Sequence, residues 1–167
     1  MKDDTIQQHP YIAATEELLK DLDALSAVID TQLGEEALTP TRSYVKLIET
    51  LLEKNVDIHA LLPGTGDAVG KIAFDKRAYT YRIHSWLQVP EFFLYFKDQL
   101  GVPLQDCLKT FNWGVGYYLF VPAESVEQVL SLGKNAGYTL ADVGTVEDGK
   151  RQVIFEPENI TLTPPGE

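Results

Sequence analysis

Two short stretches hold the residue types from which a binding site is made: Pro63-Gly64-Thr65-Gly66-Asp67-Ala68-Val69-Gly70 and Thr110-Phe111-Asn112-Trp113-Gly114-Val115-Gly116. A glycine-rich loop that follows a strand can turn several backbone N–H groups toward one point, and with the hydroxyl of Thr65 it can cradle an anion. Asn112 brings a donor and an acceptor together, and Gly114 and Gly116 permit backbone angles or close approaches that a side chain would block. Each stretch also has an architectural reading. Thr65 and Gly66 suit a tight turn, and the second run suits a bulged strand entry whose Asn112 knits it to a neighbouring loop. Arg42 is a third candidate: a cation in the first turn of a helix is poorly placed for the dipole, so a carboxylate or a ligand would hold it.

Other chemistries are not legible. Cys107 is the single cysteine, in Leu104-Gln105-Asp106-Cys107-Leu108, which excludes an internal disulfide and suggests a packed helix position. His59 and His84 stand on strands without a second ligand at metal-binding spacing, so no metal is expected. Ser43, Ser85, Ser125 and Ser131 lack the surroundings that activate a nucleophile.

The elements that must position these residues follow from periodicity and breakers. Leu18, Leu19, Leu22, Leu25, Val28 and Ile29 predict an amphipathic helix from Thr15 to Ile29. Thr39 as N-cap and Pro40 at the first helical position predict a second helix, reaching Asn55 as a left-handed terminator, with Tyr44, Val45, Ile48, Leu51 and Leu52 on its apolar face. Strands are expected at Val56 to Leu62 and Ala78 to Trp86, and Pro90 and Pro103 each open a helix. The nearly unbroken apolar run Val115 to Val121 reads as a core strand, followed by a helix from Ala123 to Asn135. Ala141 to Val146 and Arg151 to Phe155 flank Asp148-Gly149, which predicts a hairpin with a type I′ turn. The sum is an α+β fold, a mixed β-sheet flanked by helices, with residues 1–32 as N-terminal helix and linker, 33–156 as the domain and 157–167 as an extended tail.

A chain of 167 residues, 44% hydrophobic and 23% charged, has room for one domain with a real core. No apolar run is long enough to cross a bilayer, and the first residues lack the apolar region of a secretory signal, so a cytoplasmic location is expected. With 25 acidic against 14 basic residues the net charge is −11, which repels a phosphate backbone. Neither nucleic acid nor a membrane is expected as a partner, whereas a small anion held by aimed N–H groups is compatible with that field.

Leu33-Gly34-Glu35-Glu36-Ala37-Leu38-Thr39-Pro40-Thr41-Arg42-Ser43-Tyr44-Val45-Lys46 and the Asn112 turn together resemble the C-terminal domain of aminoimidazole ribonucleotide synthetase, also called phosphoribosylformylglycinamidine cyclo-ligase. Ile58-His59-Ala60-Leu61 before the glycine loop and the apolar Val153-Ile154-Phe155 fit the same pattern, so the resemblance runs from Leu33 to Phe155. It implies a ligase of purine biosynthesis: ATP phosphorylates the amide oxygen of formylglycinamidine ribonucleotide, and an internal nitrogen displaces phosphate as the imidazole closes. Substrate phosphate would lie on Thr65, Gly66 and Asp67, and Asn112, Gly114 and Arg42 would position substrate. ATP and magnesium are implied for an ATP-binding N-terminal domain, with no cofactor on this chain, which is expected to be inactive without that domain.

The departures from the family pattern are specific. Where the family resembles His-Ile-Thr-Gly-Gly-Gly followed by Leu-Pro-Glu-Asn, this chain has Pro63 for the histidine, Asp67-Ala68 for two glycines and Ile72 for the asparagine. Two unit charges about 4 Å apart at an effective dielectric near 20 repel by roughly 4 kcal/mol, so Asp67 facing a phosphate would weaken binding by about three decades. A non-catalytic ligand-binding or regulatory module derived from the domain is therefore the first alternative, and an interaction module that pairs through its sheet face, with itself or another chain, is the second.

Overall fold

The computed structural model describes residues 32–67 and 69–164. The helix predicted over Thr15 to Ile29 lies outside the described residues, as does most of the expected N-terminal linker. The chain divides into two units, Met1–Pro40 and Thr41–Glu167. In the first, helix α1 (Gln32–Ala37) is followed by Thr39, whose Oγ1 donates to Glu35 O at 3.1 Å. Thr39 thus closes one helix where the sequence suggested that it opens the next.

In the second unit, helix α2 begins at Val45 and ends at Glu53, later than the Thr39-Pro40 signal implied. Residues 41–44 are held instead by side chains. Arg42 Nη2 donates to Gly137 O at 2.6 Å, and the Tyr44 ring packs 5.3 Å from Tyr117 and 5.9 Å from Tyr138. Nine residues are too few for a helix to persist by itself, so α2 depends on its buried side chains, Leu47 and Leu51, each worth about 2 kcal/mol. The inward face is therefore turned from the one expected, since Val45 and Leu52 are exposed. Asn55, at φ 53°, ends the segment in the left-handed region as predicted.

Strand β1 (Ala60–Pro63) pairs antiparallel with β3 (Tyr117–Phe120), matching Leu62 to Tyr118 and Ala60 to Phe120. Between them in sequence lie the 3₁₀ turn Gly70–Ala73, strand β2 (Tyr79–Ile83), and helices α3 (Glu91–Asp98) and α4 (Leu104–Thr110). Then come the 3₁₀ turn Ala123–Ser125, helix α5 (Val126–Asn135), and strands β4 (Gly144–Asp148), β5 (Gln152–Phe155) and β6 (Ile160–Leu162). The α+β class with mixed pairing is as expected from sequence, with a four-stranded sheet of order β4-β2-β5-β6 beside the two-stranded one.

The predicted hairpin is not formed. β4 and β5 straddle β2, which runs antiparallel to β4 and parallel to β5. Thr80 explains how the short connection crosses the end of β2: its Oγ1 donates to Lys150 O at 2.8 Å, and Gly149 N donates to Ala78 O at 3.0 Å. Asp148 and Gly149 lack the positive φ that a type I′ turn needs. In the segment read as an extended tail, β6 pairs antiparallel with β5 and buries Leu162 completely.

β3 separates two apolar clusters. Tyr118 and Phe120 belong to the one that holds Ile72, Tyr81, Leu108, Trp113 and Phe155, whereas Leu119 and Val121 pack with Leu47, Leu51, Val56 and Val129. A strand covered on both faces has no polar positions to alternate, which is why Val115 to Val121 reads as one apolar run.

Candidate functional site

The turn at Asn112 is built from below. α3 and α4 bring Phe93, Phe96 and Phe111 together, with Phe96 and Phe111 ring centroids 4.9 Å apart and Phe93 6.0 Å from Trp113. Trp113 is only 4% exposed yet takes φ 51°, and Trp86 Nε1 donates to its carbonyl at 3.0 Å. Positive φ on a bulky residue costs energy, and this buried, bonded setting holds it. Gly114 follows at φ 92° with Pro90 against it, so no side chain fits there.

Asn112 uses both ends of its amide. Oδ1 accepts from Gly114 N at 3.1 Å, an Asx turn, and Nδ2 donates to Gly64 O at 3.3 Å. Gly64 N in turn donates to Gly116 O at 2.9 Å, and the Gly64 Cα packs against the Val115 carbonyl. The glycine loop and the Asn112 turn are thereby fastened together.

Beyond Gly64 the loop turns outward. Thr65, Gly66 and Asp67 are exposed, with Asp67 at φ 65°. Thr65 N donates to Pro63 O at 3.0 Å and Lys71 N to Asp67 O at 3.2 Å, which close a compact bend, while Lys71 Nζ donates to Thr65 Oγ1 at 2.6 Å. Because Asp67 is exposed, its repulsion of an anion is set by a dielectric near that of water, and the 4 kcal/mol figure falls to about 1 kcal/mol.

The structure therefore joins the Asn112–Gly116 turn to Gly64, the residue at the base of the Thr65-Gly66-Asp67 bend. Arg42 is held elsewhere, bonded to Gly137 O with its guanidinium 4.2 Å from the Tyr138 ring centre, and Tyr138 Oη donates to Ser43 O at 3.0 Å. A cavity of about 500 Å³ opens from the Gly114–Gly116 backbone and is walled by β2, β3, α5 and β4. It is lined mainly by apolar side chains such as Leu47, Ile83, Leu119 and Val143, and Thr65, Gly66 and Asp67 are not among its walls. The phosphate candidates thus sit outside the cavity, although their anchor lines it.

Sequence reasoning missed Gly64 and Lys71. Gly64 offers no signal of its own, since its role depends on β3, some fifty residues later. Lys71 could have been noticed as a cation six residues after Thr65 in an acid-rich chain. Cys107 is fully buried on α4, and burial with Asp106 nearby raises its thiol above the usual range, as suits a packing residue. Among the described residues no group of three or more His, Cys, Asp or Glu side chains is placed to hold a metal, and no helix is long and apolar enough to cross a membrane.

No family model matches the chain. It is similar to the phosphoribosylformylglycinamidine cyclo-ligase of a Synechococcus species, with 32% identity over 142 residues, 83% of this chain and 40% of that protein. The enzyme of the same name from Methanobrevibacter smithii is 31% identical over 134 residues, 79% of this chain and 39% of the relative. A bifunctional purine biosynthetic protein of Pichia angusta is 32% identical over 121 residues, 71% of this chain and 15% of its own length. The chain spans less than half the length of these relatives, the extent of one domain. By sequence it belongs to the phosphoribosylformylglycinamidine cyclo-ligase family, as a counterpart of that enzyme's C-terminal domain, and its α+β class is consistent with this.

Proposed function

We propose that this chain holds the phosphorylated substrate during an ATP-dependent ring closure of purine biosynthesis, in the cytoplasm, and works with a separate ATP-binding N-terminal-like domain. The observation that carries this reading is the joint between the two candidate segments: Asn112 Nδ2 to Gly64 O, and Gly64 N to Gly116 O. It presents the Thr65 loop from a rigid base. The Gly66 and Asp67 amides and the Thr65 hydroxyl would take the substrate phosphate, and the Asn112 turn would fix their direction. ATP and magnesium belong in this reading to the partner domain, and no step is assigned to a metal on this chain. By the same reading the chain does not turn over alone.

The test mixes the full chain with the isolated ATP-binding domain of a cyclo-ligase relative and measures phosphate release. Release that requires both proteins and formylglycinamidine ribonucleotide is the expected result. A folded pair that releases none would favour a non-catalytic binding module, the reading to which Pro63 and Asp67 point. These put a pyrrolidine ring and a carboxylate where the family pattern has histidine and glycine. Asp67 nevertheless has a left-handed backbone, φ 65°, that suits the glycine of the family pattern. A homodimer through the sheet face is a third possibility, excluded by a strict monomer in light scattering across concentration.

A further inference from the structure

Lys71 lies in the 3₁₀ turn that closes the Thr65 loop, half-buried, with Nζ 2.6 Å from Thr65 Oγ1. Among the described residues it enters no ion pair. Most described lysines share that property, so what sets Lys71 apart is its hydrogen bond to the loop hydroxyl. The residue is half-buried along its stem while the ammonium end is exposed, so its charge is open to a ligand in solvent. Asp67, four residues earlier, does not pair with it, although its own carboxylate is exposed. In the family pattern the position before Ile72 is a glutamate, so this loop has reversed charge at Lys71 as well as gaining Asp67.

The hydroxyl of Thr65 spends a lone pair on Lys71, which turns its own proton away from the ammonium. The open side of the loop then offers the Thr65 O–H, the remaining N–H groups of Lys71, and the Gly66 and Asp67 amides, which donate to no carbonyl among the described residues. All are donors, and one carries a full charge. A compact terminal phosphate matches this set, because an ammonium acts as a point charge that a dianionic monoester can share with neutral donors.

We infer that Lys71 reads the charge of the ligand, pairing with Thr65 to hold the terminal phosphate of a phosphate monoester. This rests on the phosphate role proposed for the Thr65 loop. It assigns the affinity of that loop to a side chain that the family pattern does not supply, and it offsets the carboxylate that Asp67 brings.

The full chain is titrated by calorimetry with ribose 5-phosphate, inorganic phosphate and ATP. The expected result is binding of ribose 5-phosphate that Lys71→Met weakens at least tenfold, Lys71→Arg keeps within about threefold, and Thr65→Val weakens less than Lys71→Met. The same loss seen with ATP alone would overturn the monoester assignment, because the terminal phosphate of ATP is an anhydride. A folded Lys71→Met that binds like the parent would overturn the inference and leave the loop's phosphate role standing. A folded parent chain that binds none of the three would sink both.

Discussion

Trp113 in the Asn112 turn is 4% exposed; its carbonyl accepts from Trp86, and the adjacent Asn112 donates to Gly64 and accepts from Gly114 across the turn. Next along the chain from Gly64, Thr65, Gly66 and Asp67 stand in solvent, held by two backbone bonds and a lysine. Both segments are rich in glycine and carry a residue with positive φ, but their stability comes from different places. The turn is part of the core, so a change there acts on folding. The loop is a surface bend tied down at Gly64 and Lys71, so a change at its tip acts on what it binds. This division of labour is what a site needs when the groups that touch ligand must be replaceable without loss of the base that aims them.

The joint between them is the place where a substitution does most damage. A Cβ on Gly64 would run into the Val115 carbonyl, which is backbone and cannot swing aside. Gly64→Ala is expected to cost about 3 kcal/mol, at the upper end of overpacking effects, and to lower the midpoint of urea unfolding accordingly. Asn112→Ala follows at about 2 kcal/mol, because it leaves the part-buried Gly64 carbonyl without its donor and removes the Asx turn. If either change left unfolding untouched but abolished phosphate binding, the turn would be a ligand contact and the contrast with the loop would fail.

How far the sequence showed these things depended on how local each cause was. Asn55, Pro90, Pro103 and the glycine-rich runs act through their own backbone angles, and each marks an element end or a turn in the structure. The apolar run of β3 announced burial on both faces for the same reason. The start of α2 was misread because Thr39-Pro40 carries a good local signal that distant contacts of Arg42 and Tyr44 with the end of α5 override. The hairpin was misread likewise: Asp148-Gly149 suits a turn, yet β2, more than sixty residues earlier, inserts between its arms. At the site, residue types marked the loop and the turn, whereas Gly64 and Lys71 became visible only once their partners were placed.

The core side of the comparison also has a pH signature. The Tyr118 hydroxyl is buried without a hydrogen-bond partner among the described residues, and burial holds its ionisation well above the usual phenol range. The folded protein therefore keeps this proton when the unfolded chain, with a pKa near 10, has lost it, so stability falls as pH rises past about 10. Burial, with Asp75 nearby, raises Tyr81 as well, so the alkaline loss has two contributors. Tyr118→Phe should leave stability at pH 7 unchanged or raise it by about 1 kcal/mol, since no bond is lost, and should flatten the alkaline limb of a denaturation series. A clear loss at pH 7 would mean that the hydroxyl has a partner in solution.

The smallest effect is the sharpest probe of the loop. Gly66 has a φ outside the left-handed region, and a Cβ built on it meets no atom within 4 Å, so neither strain nor crowding opposes a side chain. Gly66→Ala should thus change unfolding by no more than about 0.5 kcal/mol, in contrast to Gly64→Ala two residues earlier. If an anion rests on the Gly66 and Asp67 amides, however, the added methyl group would stand where the ligand approaches, and affinity for ribose 5-phosphate would drop while the fold is intact. Stability lost together with affinity would show that the tip is structural after all. A variant that keeps both would move the ligand away from the amides and leave Lys71 and Thr65 as its only contacts in this loop.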